Sequence, residues 1–205
     1  MATPTIPNGK DYFNTVNYGG TGSDNAVTGV GFAPDATWLK RRDSGNADWG
    51  AYDTSRGVTK ALKFNKTDAE STETNGLKVF GTDGFTVGSS GDANASGGTF
   101  SSFNFLANGG TTASNTDGSI TSTVQANTTA GFSIVQYNGN SGTAGTIGHG
   151  LSKKPEWIIV KDRDASTYEW MVYHKSTGAT KYLQLSASDA SASLSTIWND
   201  TEPTS

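Results

Sequence analysis

The chain has no cysteine among its 205 residues. That excludes a disulfide framework and any thiolate metal or redox site. Only 17% of residues are charged and only two are methionine. Helices draw on Ala, Leu, Glu, Lys and Arg in bulk, so a mainly helical fold is excluded. Positive charge is scarce as well: the net charge is −4 and the pI near 5.1, with no basic stripe. Duplex nucleic acid is therefore not an expected partner. No apolar stretch reaches the length of a membrane span, and none follows the opening MATPTIPNGK, so neither a membrane partner nor a signal peptide is expected. His149 and His174 stand alone, which supports neither a zinc set nor a Ser-His-Asp triad. Gly19-Gly20-Thr21-Gly22 opens no helix and so makes no phosphate loop. No metal, cofactor or catalytic residue is expected.

What is present is turn chemistry between short aromatic and β-branched runs. Threonine (29), glycine (26), serine (23) and asparagine (15) make up close to half the chain. Aromatics at 10% still supply enough apolar surface for a core. Short strands separated by Gly/Asp/Asn turns predict an all-β protein. Strands are expected at 12–18, 37–40, 49–52, 61–64, 79–80, 85–87 and 99–106, then at 132–137, 157–161, 170–174 and 182–185. Phe103 and Phe105 share one face of a half-buried strand, with Asn104 on the other. Trp157-Ile158-Ile159-Val160 is apolar on both faces, which predicts a central strand covered on both sides.

The sequence also repeats. Shifted by 121, residues 34–65 fall on 155–186 without a gap, and eleven of the 32 positions are identical. They include Pro34/Pro155, Lys40/Lys161, Arg42/Arg163, Trp49/Trp170, Tyr52/Tyr173 and Leu62/Leu183. Upstream the offset is 119, with Phe13/Phe132, Val16/Val135 and Tyr18/Tyr137. A period this long suits two tandem domains rather than a solenoid. The expected order is an extended arm over 1–11, a first β-sandwich over 12–108, a linker with a lead-in edge strand over 109–130, and a second sandwich over 131–205. Ser205 matches position 84 of the first copy, so the second sandwich is expected to be incomplete, lacking a match for 85–105. An unpaired apolar edge there predicts pairing with another chain and a homo-oligomer.

Seven residues are candidates for ligand binding. Lys40 and Arg42, and their repeats Lys161 and Arg163, leave one face of a strand, as a surface for anionic glycan or another protein would; a charged strand end that blocks edge pairing is the alternative. Asp53-Thr54-Ser55-Arg56-Gly57 offers Asp53 and Arg56 beside a glycine turn, either as a sugar loop or as an internal ion pair. Trp198, in polar sequence, is the aromatic expected to be exposed. Trp49, Tyr52, Trp170 and Tyr173 are expected in the core, since each ring buries on the order of 150–250 Å². The acidic run Asp68-Ala69-Glu70-Ser71-Thr72-Glu73 lacks flanking apolar alternation, and its repeat loses both glutamates. It makes a poor carboxylate pair for glycoside hydrolysis.

Several of these motifs resemble a known family. Phe32-Ala33-Pro34-Asp35 with Trp38-Leu39-Lys40, then Tyr52-Asp53-Thr54-Ser55-Arg56-Gly57, Asp68-Ala69-Glu70, and Thr82-Asp83-Gly84-Phe85-Thr86-Val87-Gly88 carry the likeness. So do Gly145-Thr146-Ile147-Gly148-His149-Gly150-Leu151 and the ending Ile197-Trp198-Asn199-Asp200. They look like a tandem-repeat domain of tail-fibre-like and other structural proteins of marine phages. The resemblance implies a concanavalin-like (lectin/glucanase-like) jelly-roll fold in a virion setting. The expected function is a non-enzymatic virion protein that binds host-surface polysaccharide and contacts other virion proteins. A decoration module with no ligand of its own is the alternative, and a glycan hydrolase the third.

Overall fold

The computed structural model describes residues 8–205. Most of the expected N-terminal arm lies outside the described residues; its last part, Gly9–Asp11, is one 3-10 turn. The fold is all-β, in antiparallel sheets with two four-residue helices.

The first half contributes β1 (Phe13–Gly19), β2 (Asn25–Thr28), β3 (Ala36–Arg41), β4 (Trp49–Asp53), β5 (Lys60–Lys63), β6 (Ser71–Thr72), β7 (Leu77–Gly81), β8 (Gly84–Val87) and β9 (Thr99–Phe105). Six of them form one sheet in the order β1-β9-β3-β4-β5-β6. The other three, β2-β8-β7, cover one face of it. Val27, Leu39, Tyr52, Leu77, Phe85 and Val87 interdigitate between the two layers. The β7–β8 hairpin depends on Gly84, whose φ is +148° and whose added Cβ would lie 2.0 Å from the Val27 carbonyl oxygen. Only glycine lets β8 approach β2 this closely.

Strand β9 corrects a reading of the sequence. Its alternation is as expected, but the polar side is the buried one. Ser102 and Asn104 are fully enclosed with Phe100, while Phe103 and Phe105 point away from the inner layer. Asn104 is satisfied by three hydrogen bonds. It accepts from Thr37 Oγ1 at 3.0 Å and donates to the Asn14 carbonyl at 3.1 Å and Ser102 Oγ at 2.9 Å. A buried amide is tolerated because its partners are built into the neighbouring strands.

The second half contributes β10 (Ala113–Asn115), β11 (Ser122–Asn127), β12 (Phe132–Tyr137), β13 (Trp157–Val160), β14 (Met171–His174), β15 (Lys181–Gln184) and β16 (Ala192–Ser193). By the repeat, β12 corresponds to β1, β13 to β3, β14 to β4, β15 to β5 and β16 to β6. These strands do not make one sheet. They divide into β10-β11-β12 and β13-β14-β15-β16. The break falls where the first half places β9, between β1 and β3. The lead-in strand β11 is interior, between β10 and β12, rather than at an edge. β13 is correspondingly a sheet edge and not a central strand, and Trp157 is 53% exposed.

The halves share a core. The face of the six-stranded sheet turned away from β2-β8-β7 carries Trp38, Ala51, Leu62 and Phe64, and these pack against Ile159 and Trp170 of the second half. The Phe64 and Trp170 rings lie 4.6 Å apart, and Phe105 stacks on Phe132 at 4.9 Å. Trp170 Nε1 donates to the Lys63 carbonyl at 2.8 Å, so the indole reaches across the seam for its partner.

Candidate functional site

The seam between the halves holds an ion-pair network at one end and a cluster of aromatics at the other. At its polar end, Arg56 is gripped by its own loop. Its Nε donates to Asp53 Oδ2 at 2.5 Å, its backbone N–H to Asp53 Oδ1 at 2.8 Å, and Nη2 to the Ala51 carbonyl at 2.9 Å. Nη1 reaches Glu70 Oε2 at 3.1 Å. Arg163 then closes on Glu70 from the second half in a two-point fork of 3.0 and 2.8 Å. It also donates to Gln136 Oε1 at 2.7 Å, while Gln136 Nε2 donates to the Ser55 carbonyl at 2.8 Å. Gln125 adds bonds of 2.9 Å to both Thr54 Oγ1 and Ser55 Oγ. Burial alone would raise the Glu70 carboxyl, but the hydrogen bonds from Arg163 and Arg56 outweigh it and hold the group below its usual range.

This settles where the expected ligand residues lie. Asp53 and Arg56 form the internal ion pair. Arg163 is drawn into the seam by Glu70 and does not share a free face with Lys161. Lys161 Nζ instead donates to the carbonyls of Asp162 and Ala165. Lys40 likewise donates to the Ala47 carbonyl at 2.5 Å, so both repeated lysines brace the hairpin that follows them. Arg42 is exposed and lines a shallow pocket of about 260 Å³ with Tyr18, Thr99 and Phe100. Trp198 is half-buried rather than exposed. Its ring meets Tyr173 edge-on at 5.9 Å, and its Nε1 is buried without a partner. The structure therefore does not bring the seven candidates together.

What it does bring together is a set of aromatics. Trp38, Trp49, Phe64, Phe103 and Trp157 line an open cleft of about 360 Å³ in the seam, with Ile159, Leu185 and Asn65. Trp38 is packed edge-on by Phe64 at 4.7 Å and by Trp157 at 6.4 Å, and Trp49 leans on Phe103 at 5.8 Å. Tyr52, Trp170 and Tyr173 are core, as expected, but Trp49 is only half-buried and faces this cleft. One signal for the cleft was present in the repeat. Trp157 stands where the first half has Ala36, so a large ring was added at a position that does not need one for its own packing. Leu185, the repeat of Phe64, faces the same cleft as Trp49, the repeat of Trp170. Equivalent faces of the two halves are thus turned toward each other.

The tyrosines Tyr52 and Tyr173 each donate to a glutamate, but to glutamates that the repeat does not relate. Tyr52 reaches Glu73 at 2.9 Å and Tyr173 reaches Glu202. Glu202 also accepts from Lys154 Nζ at 2.8 Å and from the Ala179 N–H at 3.0 Å. Lys154 first, then Tyr173, lowers its carboxyl from 4.5 to about 2. A depressed carboxylate contributes stability that is complete above its unfolded value and lost as pH falls through the folded one. Protection of the amides in residues 195–205, relative to their intrinsic exchange rates, is therefore expected to fall between pH 4.5 and about 2, the span of the Glu202 shift. Lys154→Ala should move that midpoint upward. A carboxyl titration of Glu202 near 4.5 in the unaltered protein would contradict this.

Among the described residues no group of three or more His, Asp and Glu is placed to hold a metal ion, and no helix is long and apolar enough to cross a membrane. Comparison with curated proteins and with solved structures returns no match. Residues 8–205 match the family model described as a domain of unknown function, DUF7483, and the chain belongs to that family.

Proposed function

We propose that this protein is a non-catalytic binding module whose ligand is a polysaccharide, taken up in the aromatic cleft of the seam. The observation that carries the reading is the cleft itself. Five aromatic rings from both halves converge there, and one of them, Trp157, is more than half exposed. Sugar rings present flat C–H faces that stack on such rings, and a concave, mostly apolar site with few polar groups is the usual form of a small-ligand pocket. Asn65 at the cleft supplies an amide for a sugar hydroxyl. A hydrolase is disfavoured because both Glu70 oxygens are engaged by guanidinium groups and Glu73 is bound to Tyr52 and Lys63. The six-on-three packing of antiparallel sheets supports a concanavalin-like jelly-roll, and a virion fibre or surface is the setting that the sequence resemblance implies.

A second reading, a structural module with no ligand, is favoured by one observation: the buried charges of the seam satisfy one another completely. A glycan array separates the two. Binding should survive chelator, release no reducing ends, and weaken about tenfold in Trp157→Ala, the loss of roughly one ring contact. The exposed position of Trp157 keeps that variant folded. A silent array favours the structural module, reducing-end release restores the hydrolase, and binding indifferent to both Trp157→Ala and Trp49→Ala places the ligand elsewhere.

A further inference from the structure

We propose, building on the reading of the aromatic cleft as a polysaccharide site, that the cleft takes uncharged glycans and turns away uronates, sialates and sulfated sugars. Seven of the eight residues that line it are aromatic or aliphatic, and the eighth is Asn65. The hydrogen-bonding capacity of that one amide decides which polar groups can enter.

Asn65 is held at both ends of its amide. Its Oδ1 accepts the Trp49 backbone N–H at 2.9 Å, and its Nδ2 donates to Asp48 Oδ1 at 2.8 Å. The Trp49 N–H can only donate, which fixes the end that carries the oxygen. One N–H and one lone pair remain for a ligand. A sugar hydroxyl both donates and accepts, so it can use the two together. A carboxylate or sulfate only accepts. It would gain one N–H bond and face the Asn65 oxygen, with the Asp48 carboxylate behind it. Stripping water from such an anion is costly unless a cation takes the water's place.

The cations that border the cleft are already committed. Lys40 lies beside Trp49 across the β3–β4 pair, but its Nζ donates to the Ala47 carbonyl at 2.5 Å. Lys161, two residues beyond Ile159, is spent on the carbonyls of Asp162 and Ala165. Lys66 pairs with Asp48 Oδ2 at 2.7 Å. Burial alone would raise the Asp48 carboxyl, but the hydrogen bonds from Lys66 and Asn65 hold it below its usual range. That pair is therefore ionised and carries no net charge. Arg163 is locked in the Glu70 fork, and Arg42 opens on a different pocket, with Tyr18 and Phe100 of the inner-layer side. The basic residues that suggested an anionic glycan thus do not serve the cleft. The net charge of −4 adds a general repulsion of polyanions.

The test is a glycan array that carries neutral and acidic polymers of the same linkage, among them a glucan against its glucuronan and a mannan against its mannuronan. The unaltered chain is expected to bind the neutral member of a pair about tenfold or more tightly than its acid. That binding should change by less than about twofold between low and high salt. It should weaken about tenfold in Trp157→Ala. Leu185 is 41% exposed at the rim, so Leu185→Lys sets an ammonium beside the ligand and should narrow the neutral-to-acid ratio to about threefold or less. An acidic member bound as tightly as its neutral partner, and weakened by Trp157→Ala, overturns the proposal and leaves the polysaccharide reading standing. An unchanged ratio in Leu185→Lys does the same. A silent array, or binding indifferent to Trp157→Ala and Trp49→Ala alike, overturns the polysaccharide reading of the cleft and the proposal with it.

Discussion

Trp170→Ala is expected to cost about 3–5 kcal/mol of stability, the range for deleting a buried indole. The ring is 6% exposed and packs on Phe64 at 4.6 Å. Its N–H is spent on the Lys63 carbonyl, which belongs to the other half. Alanine therefore opens a cavity in the shared core and removes one of the two bonds to that carbonyl, which keeps the Lys66 N–H at 3.2 Å. Trp170→Phe should retain most of the packing and cost about 1–2 kcal/mol for the lost hydrogen bond and volume. Trp49→Ala, at the repeat-related position, should cost only about 1–2 kcal/mol because that ring lines the open cleft. Urea midpoints for the three variants give the comparison. Equal costs for Trp49→Ala and Trp170→Ala would mean that the two halves are separate cores related by the repeat. The larger cost at Trp170, together with a single transition, means one cooperative unit.

The asymmetry of those two tryptophans marks the limit of what the sequence discloses. Local patterns were readable. Strand positions followed from alternation and from glycine turns, and the 121-residue offset correctly aligned β13, β14 and β15 with β3, β4 and β5. The Asp53–Arg56 pair was legible because its partners stand three positions apart along one turn. Contacts between the halves were not. Nothing local to Glu70 tells that Arg163, 93 residues away, will close on it, and the loss of both glutamates in the second repeat makes Glu70 look dispensable. The outward face of the six-stranded sheet read as a solvent face or a core with equal ease, since Phe103 and Phe105 alternate with Asn104 in either case. Burial of the polar side required knowing that Thr37 and Asn14 would stand beside Asn104. Trp198 misled for a related reason: polar neighbours in sequence say little about a ring that folds back onto Tyr173.

Glu70 is the other position where one substitution should act across the whole seam. Glu70→Ala is expected to cost about 3 kcal/mol, at the lower end for breaking a buried ion pair. Its side chain is 12% exposed and that of Arg56 5%, so neither charge is well hydrated. Asp53 still holds Arg56 after the change, which moderates the loss. Arg163 is 38% exposed, and its freed guanidinium can turn to water. Arg163→Ala alone should accordingly cost less, about 1 kcal/mol. Combined, the two changes should cost less than their sum, with a coupling of about 1 kcal/mol, because the fork is lost only once. The pH dependence carries the sign. Glu70 titrates below its usual value when folded, so its contribution is fully present above the unfolded value and disappears as pH falls through the folded one. The stability gap between the unaltered protein and Glu70→Ala should narrow as the solution is acidified below about pH 4. Added salt should change it little, since Glu70 and Arg56 are mostly shielded from solvent. Additive single-site costs, or a gap that does not shrink in acid, would show that Glu70 fills space at the seam without binding the two halves by charge.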